Sequence, residues 1–299
     1  PAGLVAVGAA PVIDPDRVSG YLDQVGIWLS PDGRQWDRLP YDEETFGGID
    51  EIWRIATFDD RLVAIGGARA WVSTDGAAWE GAVVESSPSA GVFDLTIWNG
   101  TLVAVGVVDE HPAVWASEDG LAWTRVAHPA LEAASGNLQG VGGTSAGLVA
   151  LGGDNRGRIA AWRSVDGVEW AALPDARLGD PEWELMARTA VSVERGTGGV
   201  EDDLVLINGS ATLWGTADGG EFWHSAGEFD GGVQNELGSS ARAGFNTVNQ
   251  VLVADGRLLA VGKVVAWSST EPLGPCYIDS GGSCRPDAAI WVGTWDGAP

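Results

Sequence analysis

The most regularly placed reactive groups in the chain are six carboxylates, Asp32, Asp75, Asp119, Asp166, Asp218 and Asp296, each followed directly by Gly. Carboxylates serve as acid and base in bond hydrolysis, so a recurring set invites that reading. Their surroundings point elsewhere. Asp-Gly between apolar runs is a tight hairpin turn, because Gly accepts positive φ and the Asp side chain bonds the local backbone. Five of the turns are answered by a Trp four or five residues after the Asp, at Trp36, Trp79, Trp123, Trp170 and Trp223. The Asp side chains are therefore expected to hold turns rather than to catalyse.

Other candidate groups lie outside this pattern. Trp183, in Asp180-Pro181-Glu182-Trp183-Glu184, breaks the repeat register. Beside carboxylates it suits stacking on a sugar ring or anchoring a protein partner, and it suits equally well packing beneath its own loop. Cys276 and Cys284 flank Asp279-Ser280-Gly281-Gly282-Ser283, a spacing that fits a loop-closing disulfide and an oxidising compartment. The three histidines, His111, His128 and His224, are scattered, so a zinc centre is not expected. Calcium is the one candidate metal, since acidic loops offer hard oxygen ligands. Even so, Gly153-Asp154-Asn155-Arg156-Gly157-Arg158 lacks a full calcium-loop pattern. No phosphate loop, nucleophile elbow or Cys-His cluster is present.

The elements that position these groups repeat. Six short apolar strands, at 4–8, 62–66, 102–106, 148–152, 204–208 and 258–262, open hairpins whose second strands carry Trp28, Trp71, Trp115, Trp162, Trp214 and Trp291. Eleven of the 16 tryptophans thus belong to the repeat and read as scaffold. A further strand precedes each unit that is complete, at 51–58, 92–98, 185–193 and 247–254, which makes four strands per unit. Units too small to bury their own apolar faces must stack. The expected fold is all-β, a six-bladed β-propeller of four-stranded antiparallel blades, with one domain over residues 1–299. Its units run approximately over 1–40, 41–84, 85–127, 128–174, 175–226 and 227–299. The first unit lacks its inner strand and the last stops before an outer one, so incomplete terminal blades and a fragment of a longer polypeptide are expected.

Loops opposite the Asp-Gly turns are the expected recognition face. They comprise the interblade segments 40–50, 84–91, 128–139, 174–184 and 227–246, and the loops between second and third strands at 9–25, 107–113, 153–159 and 269–288, of which 9–25 and 269–288 are the longest. Asn137, Gln139, Asn246, Asn249 and Gln250 cluster near inner-strand starts, where they would line a channel mouth or bind water alone. Trp53 and Trp98 read as inner-strand core.

Composition narrows the partners. Asp and Glu number 42 against 17 Lys and Arg, a net charge of −25 in 299 residues. Such a surface repels phosphate backbones, which disfavours nucleic acid and anionic membranes. No apolar run approaches bilayer length.

At its Ser-x-Asp-Gly-x-x-Trp turns the chain resembles the Asp-box, or BNR, repeat family of sialidases and related propellers. Thr216-Ala217-Asp218-Gly219-Gly220-Glu221-Phe222-Trp223 has the family's usual spacing, and units one to four are one residue shorter, as in Ser30-Pro31-Asp32-Gly33-Arg34-Gln35-Trp36. The resemblance implies that the Asp box is structural and lies away from the binding face. It also implies a test for catalysis, because sialidases clamp a carboxylate with three inner-strand arginines and use a Tyr–Glu pair and an Asp. Arg54, Arg188 and Arg242 are the arginines that match, with Trp53-Arg54-Ile55-Ala56 lacking the family's Pro. No nucleophile can be placed, since Tyr21, Tyr41 and Tyr277 all read as loop residues. The expectation is a non-enzymatic, secreted or cell-surface scaffold that binds a glycan or protein partner without a cofactor. The alternatives are a sialidase-like glycoside hydrolase, or a structural propeller within a larger surface protein.

Overall fold

The computed structural model describes residues 3–13, 21–32, 35–144, 146–155 and 159–173, followed by seven strands between 187 and 294. The chain forms two compact units, Pro1–Val141 with Ser164–Trp170, and Gly142–Arg163 with Ala171–Pro299. In the first, β1 (Leu4–Ile13), β2 (Tyr21–Ser30) and β3 (Asp37–Arg38) make a three-stranded antiparallel sheet. The next sheet runs β4 (Arg54–Phe58), β5 (Arg61–Gly66), β6 (Arg69–Ser73) and β7 (Glu80–Val83). A third repeats the plan with β8 (Gly91–Trp98), β9 (Thr101–Val108), β10 (His111–Ser117) and β11 (Thr124–Arg125). Strands β12 (Asn137–Thr144), β13 (Gly147–Gly153), β14 (Ile159–Ser164) and β15 (Trp170–Ala172) follow in one sheet.

In the second unit, β16 (Ala187–Ser192), β17 (Leu204–Asn208), β18 (Thr212–Thr216) and β19 (His224–Glu228) form a four-stranded antiparallel sheet. A three-stranded one follows, with β20 (Ala241–Ala254), β21 (Arg257–Ser268) and β22 (Asp287–Thr294). Each sheet is a meander in which every strand bonds to the next in sequence. Two short helices, α1 (Glu43–Phe46) and α2 (Pro129–Ala133), interrupt the connections that precede the second and fourth sheets.

Stacking of sheets explains the apolar runs. Leu62, Val63, Ala64 and Ile65 on β5 are all buried, because both faces of that sheet are covered. On one side Ala64 and Trp71 pack with Val25, Ile27, Phe46 and Ile52, joining the first and second sheets. On the other, Val63, Ile65 and Val72 pack with Val92, Leu102 and Trp115, joining the second and third. The repeat-borne Trp71 and Trp115 are fully buried, each against the preceding sheet. Truncating a Trp in such a setting costs about 3–5 kcal/mol. The turns seat on the same interfaces. Gly120 has φ +80°, and a Cβ there would come within 2.9 Å of methyl carbons of Val63 and Val72 on the preceding sheet.

Several boundaries differ from the sequence expectation. The insertion at 9–25 is largely strand, since β1 and β2 stay paired from Leu4↔Ser30 to Ile13↔Tyr21. Pro11 sits in β1, the edge strand of its sheet, which is where a sheet accommodates proline because an outward-facing N–H has no ladder partner. Tyr21 is consequently the first residue of β2. The loop at 107–113 shrinks to the two-residue turn Asp109–Glu110, both in the left-handed region with φ 51° and 66°. Strand β20 begins at Ala241, so Arg242 lies within it and not before it.

Candidate functional site

The turn carboxylates have one geometry, repeated. Asp75 Oδ1 accepts the N–H groups of Ala77 and Ala78 at 2.8 and 2.9 Å and the Ser73 hydroxyl at 3.2 Å. Ser73 Oγ in turn accepts the Gly76 N–H at 2.8 Å, and Trp79 Nε1 donates to the Gly76 carbonyl at 3.0 Å. The same network recurs at Ser117, Asp119 and Trp123, and at Ser164, Asp166 and Trp170. Asp32 keeps a looser version, accepting the Gln35 N–H at 3.2 Å and the Ser30 hydroxyl at 3.5 Å. Donated N–H groups, first those of Ala78, Ala122 and Glu169, hold the Asp75, Asp119 and Asp166 carboxyls below the ordinary value. A carboxylate tied in this way stays ionised and is poorly suited to deliver a proton. Asp218 and Asp296 lie outside the described residues.

The opposite end of the second and third sheets is built differently. Trp53 precedes β4, and its N–H donates to the Ile65 carbonyl at 2.8 Å, at the sheet end away from the Asp75 turn. Contrary to its reading as core, Trp53 is 37% exposed. Its ring stacks on Phe93, with centroids 5.1 Å apart and planes at 21°. Phe93 is the extra residue of a bulge in β8, where pairing passes from Val92↔Gly106 to Asp94↔Val105. Gly91 leaves room for that ring, since a Cβ would meet its Cε1 and Cζ at 2.9 Å.

The same bulge buries Asp94, which is 2% exposed. Arg54 Nε donates to Asp94 Oδ1 at 2.7 Å, and the Val141 N–H donates to Oδ2 at 2.9 Å. Arg54 Nη1 donates to the Trp53 carbonyl at 3.1 Å. One buried ion pair thus ties the first strands of three successive sheets together beneath the aromatic pair. Burial pushes the Asp94 carboxyl up, and Arg54, the chief opposing influence, pulls it down. Beside this cluster the Asp109–Glu110 turn is clamped from both flanks. Asp109 bonds Ser89 through its carboxylate and its N–H, the Gly136 N–H donates to the Glu110 carbonyl at 2.8 Å, and His111 Nδ1 donates to the Ala134 carbonyl at 2.6 Å. The arrangement offers an exposed aromatic platform beside fixed polar groups, on a backbone that is held in place. Such a platform can stack on a flat or apolar ligand group.

The remaining candidates divide between the units. Arg188 falls where β16 shifts register between Ala187 and Thr189, and Arg242 pairs with Trp267. Asn246 pairs with Val264 and Gln250 with Val261, and Asn249 sits where β20 shifts register. Trp183, Cys276 and Cys284 lie outside the described residues. Among the described residues no cluster of His, Cys, Asp and Glu could hold a metal ion, and no helix is long and apolar enough to cross a membrane. The Trp53–Phe93 stack escaped sequence reading because Phe93 reaches Trp53 only through a bulge. The faint signal was an aromatic residue at the start of each of two successive inner strands.

No protein family's sequence profile matches the chain, and no curated protein matches it in sequence. Among solved structures it is similar to YCF48 from Cyanidioschyzon merolae, at TM-score 0.47 and 13% identity over 80% of this chain and 76% of that one. A structure of YCF48 bound to the D1 peptide is similar at TM-score 0.49 and 12% identity, over 89% of this chain and 95% of that one. A glycosyl hydrolase from Bacteroides ovatus is similar at TM-score 0.37 and 12% identity, over 73% and 78%. At these values the likenesses settle neither activity nor ligand, which rest on the residues of this chain.

Proposed function

We propose that the six sheets are the blades of a single β-propeller spanning residues 1–299, with Asp-box turns on one face and recognition on the other. The protein is a non-enzymatic scaffold, secreted or at a cell surface, that binds a glycan or protein ligand. The observation that carries this reading is the 37% exposed Trp53, stacked on Phe93 over the buried Arg54–Asp94 pair. A large aromatic held out of the core costs apolar burial and supplies a rigid contact surface. Trp183, Asn246, Asn249 and Gln250 are proposed as further binding residues, and Cys276 and Cys284 to close one loop as a disulfide. The hydrolase alternative would require Arg54 to clamp a substrate carboxylate, whereas its guanidinium already holds Asp94.

The test is binding of the labelled chain to an array of sialylated and neutral glycans and of extended peptides, with released sugars monitored. Saturable binding without release is expected. Release of sialic acid would replace this reading with the hydrolase one, and silence on every spot would leave a structural role.

A further inference from the structure

A groove of about 250 Å³ opens in the first unit, on a different flank from Trp53. Its walls include Ile27 of the first sheet and Leu39 just after its last strand, Tyr41 and Phe46 of the connecting segment, and Trp79 after the Asp75 turn. The walls are set in advance. Phe46 packs on Trp71 at 5.5 Å, and Trp79 is fixed by its bond to the Gly76 carbonyl. The volume falls below the ~300–1,000 Å³ of most small-molecule pockets and suits one long side chain with part of a neighbour.

The rim is strongly acidic. Between Arg38 and Arg54 the chain carries Asp42, Glu43, Glu44, Asp50 and Glu51 and no basic residue. Asp42 is on the groove itself, kept ionised by donors from Thr45 and Glu44. The Tyr41 phenol is held above its ordinary value by burial, by its bond to Glu43, and by the charges of Glu43, Asp50 and Asp42. Aliphatic walls, aromatic rings and carboxylates match the methylene stem and cationic head of a basic side chain. Behind the groove the chain already makes such a contact, with the Arg69 guanidinium 5.4 Å from the Trp71 ring centroid.

We propose that this groove is a second binding site, which takes an arginine or lysine side chain from an extended basic peptide with apolar neighbours. It is independent of the Trp53 surface, so either site can fail without the other.

The probe is a fluorescein-labelled peptide, Gly-Leu-Arg-Leu-Arg-Gly, titrated against the full chain by fluorescence polarisation, beside a version with Glu in place of Arg. Only the basic peptide is expected to bind. Ala78→Trp, which fills the groove from an exposed position, is expected to weaken binding by more than about tenfold. The pair Glu43→Gln and Asp50→Asn should weaken it about tenfold, and the equal charge change Asp59→Asn with Asp60→Asn less than about twofold. Trp53→Ala should leave it unchanged. No saturable binding overturns the proposal. So does an equal loss from both neutralised pairs, which would mean diffuse attraction to the net charge of −25. Full binding by a folded Ala78→Trp chain would also contradict it.

Discussion

The two ends of the same sheets follow opposite rules. At the Asp-Gly end, Ser73–Asp75–Trp79, Ser117–Asp119–Trp123 and Ser164–Asp166–Trp170 repeat one hydrogen-bond network with distances that differ by no more than about 0.2 Å. At the other end the second, third and fourth sheets each contribute something different. The second contributes an exposed Trp and an arginine, the third a bulged Phe and a buried aspartate, and the fourth a backbone N–H. A feature copied from sheet to sheet answers a need common to those sheets, namely closing a turn and seating it on its neighbour. A feature found once answers a need of the whole molecule. The carboxylates of Asp75, Asp119 and Asp166 are therefore turn architecture, and the singular cluster is where the proposed binding is placed.

The largest expected effect tests whether the singular cluster is also a structural tie. Arg54→Ala leaves Asp94 buried without its cation, and a loss of about 3–5 kcal/mol is expected in urea denaturation. Replacing both partners with apolar residues, Arg54→Met with Asp94→Leu, should recover most of that loss. If the double variant is as unstable as the single one, packing and not the unpaired charge accounts for the effect.

A smaller change is expected at the repeated end. Asp119→Ala removes an acceptor shared by two N–H groups and a hydroxyl in a solvent-accessible turn, for a cost of about 1 kcal/mol. Should Asp119→Ala prove more damaging than Arg54→Ala, the distinction between the two ends fails.

The smallest effect is one of pH. Asp75, Asp119 and Asp166 have folded values below the ordinary 3.8. On acidification the unfolded chain takes up these protons first, so the stability they contribute is complete above that value and lost as the pH falls through and below it. Asp94 has the opposite sign, since burial raises it and the folded chain binds that proton first, offsetting part of the acid loss. Denaturation midpoints followed downward from pH 5 should therefore fall less steeply for Asp119→Asn than for the native chain. Identical slopes would mean that the turn carboxylate is not the group titrating.

Much of this is legible in the sequence. Among the described residues the Leu-Val strands, the Trp-led partners and the Asp-Gly turns appear where alternation and turn chemistry put them, because each depends on neighbours a few residues away. Helices α1 and α2, of four and five residues, are too short to show a helical period. The β1–β2 ladder was hidden by Pro11, which reads as a strand breaker unless the strand is known to lie at an edge. The contact between Arg54 and Asp94 spans 40 residues and depends on a bulge, so no local pattern announces it. Trp53 reads as core in the sequence for the same reason. Its exposure depends on what the next sheet brings to meet it, and that is Phe93.

The most direct test of the account compares Trp53→Ala with Asp119→Ala on the glycan and peptide array, with denaturation midpoints measured alongside. Trp53→Ala is expected to lose the signal from glycans and non-basic peptides while remaining folded, whereas Asp119→Ala keeps the signal and lowers the midpoint. The reverse pattern, with binding lost at the turn and retained without Trp53, would contradict the assignment of recognition to the end opposite the turns.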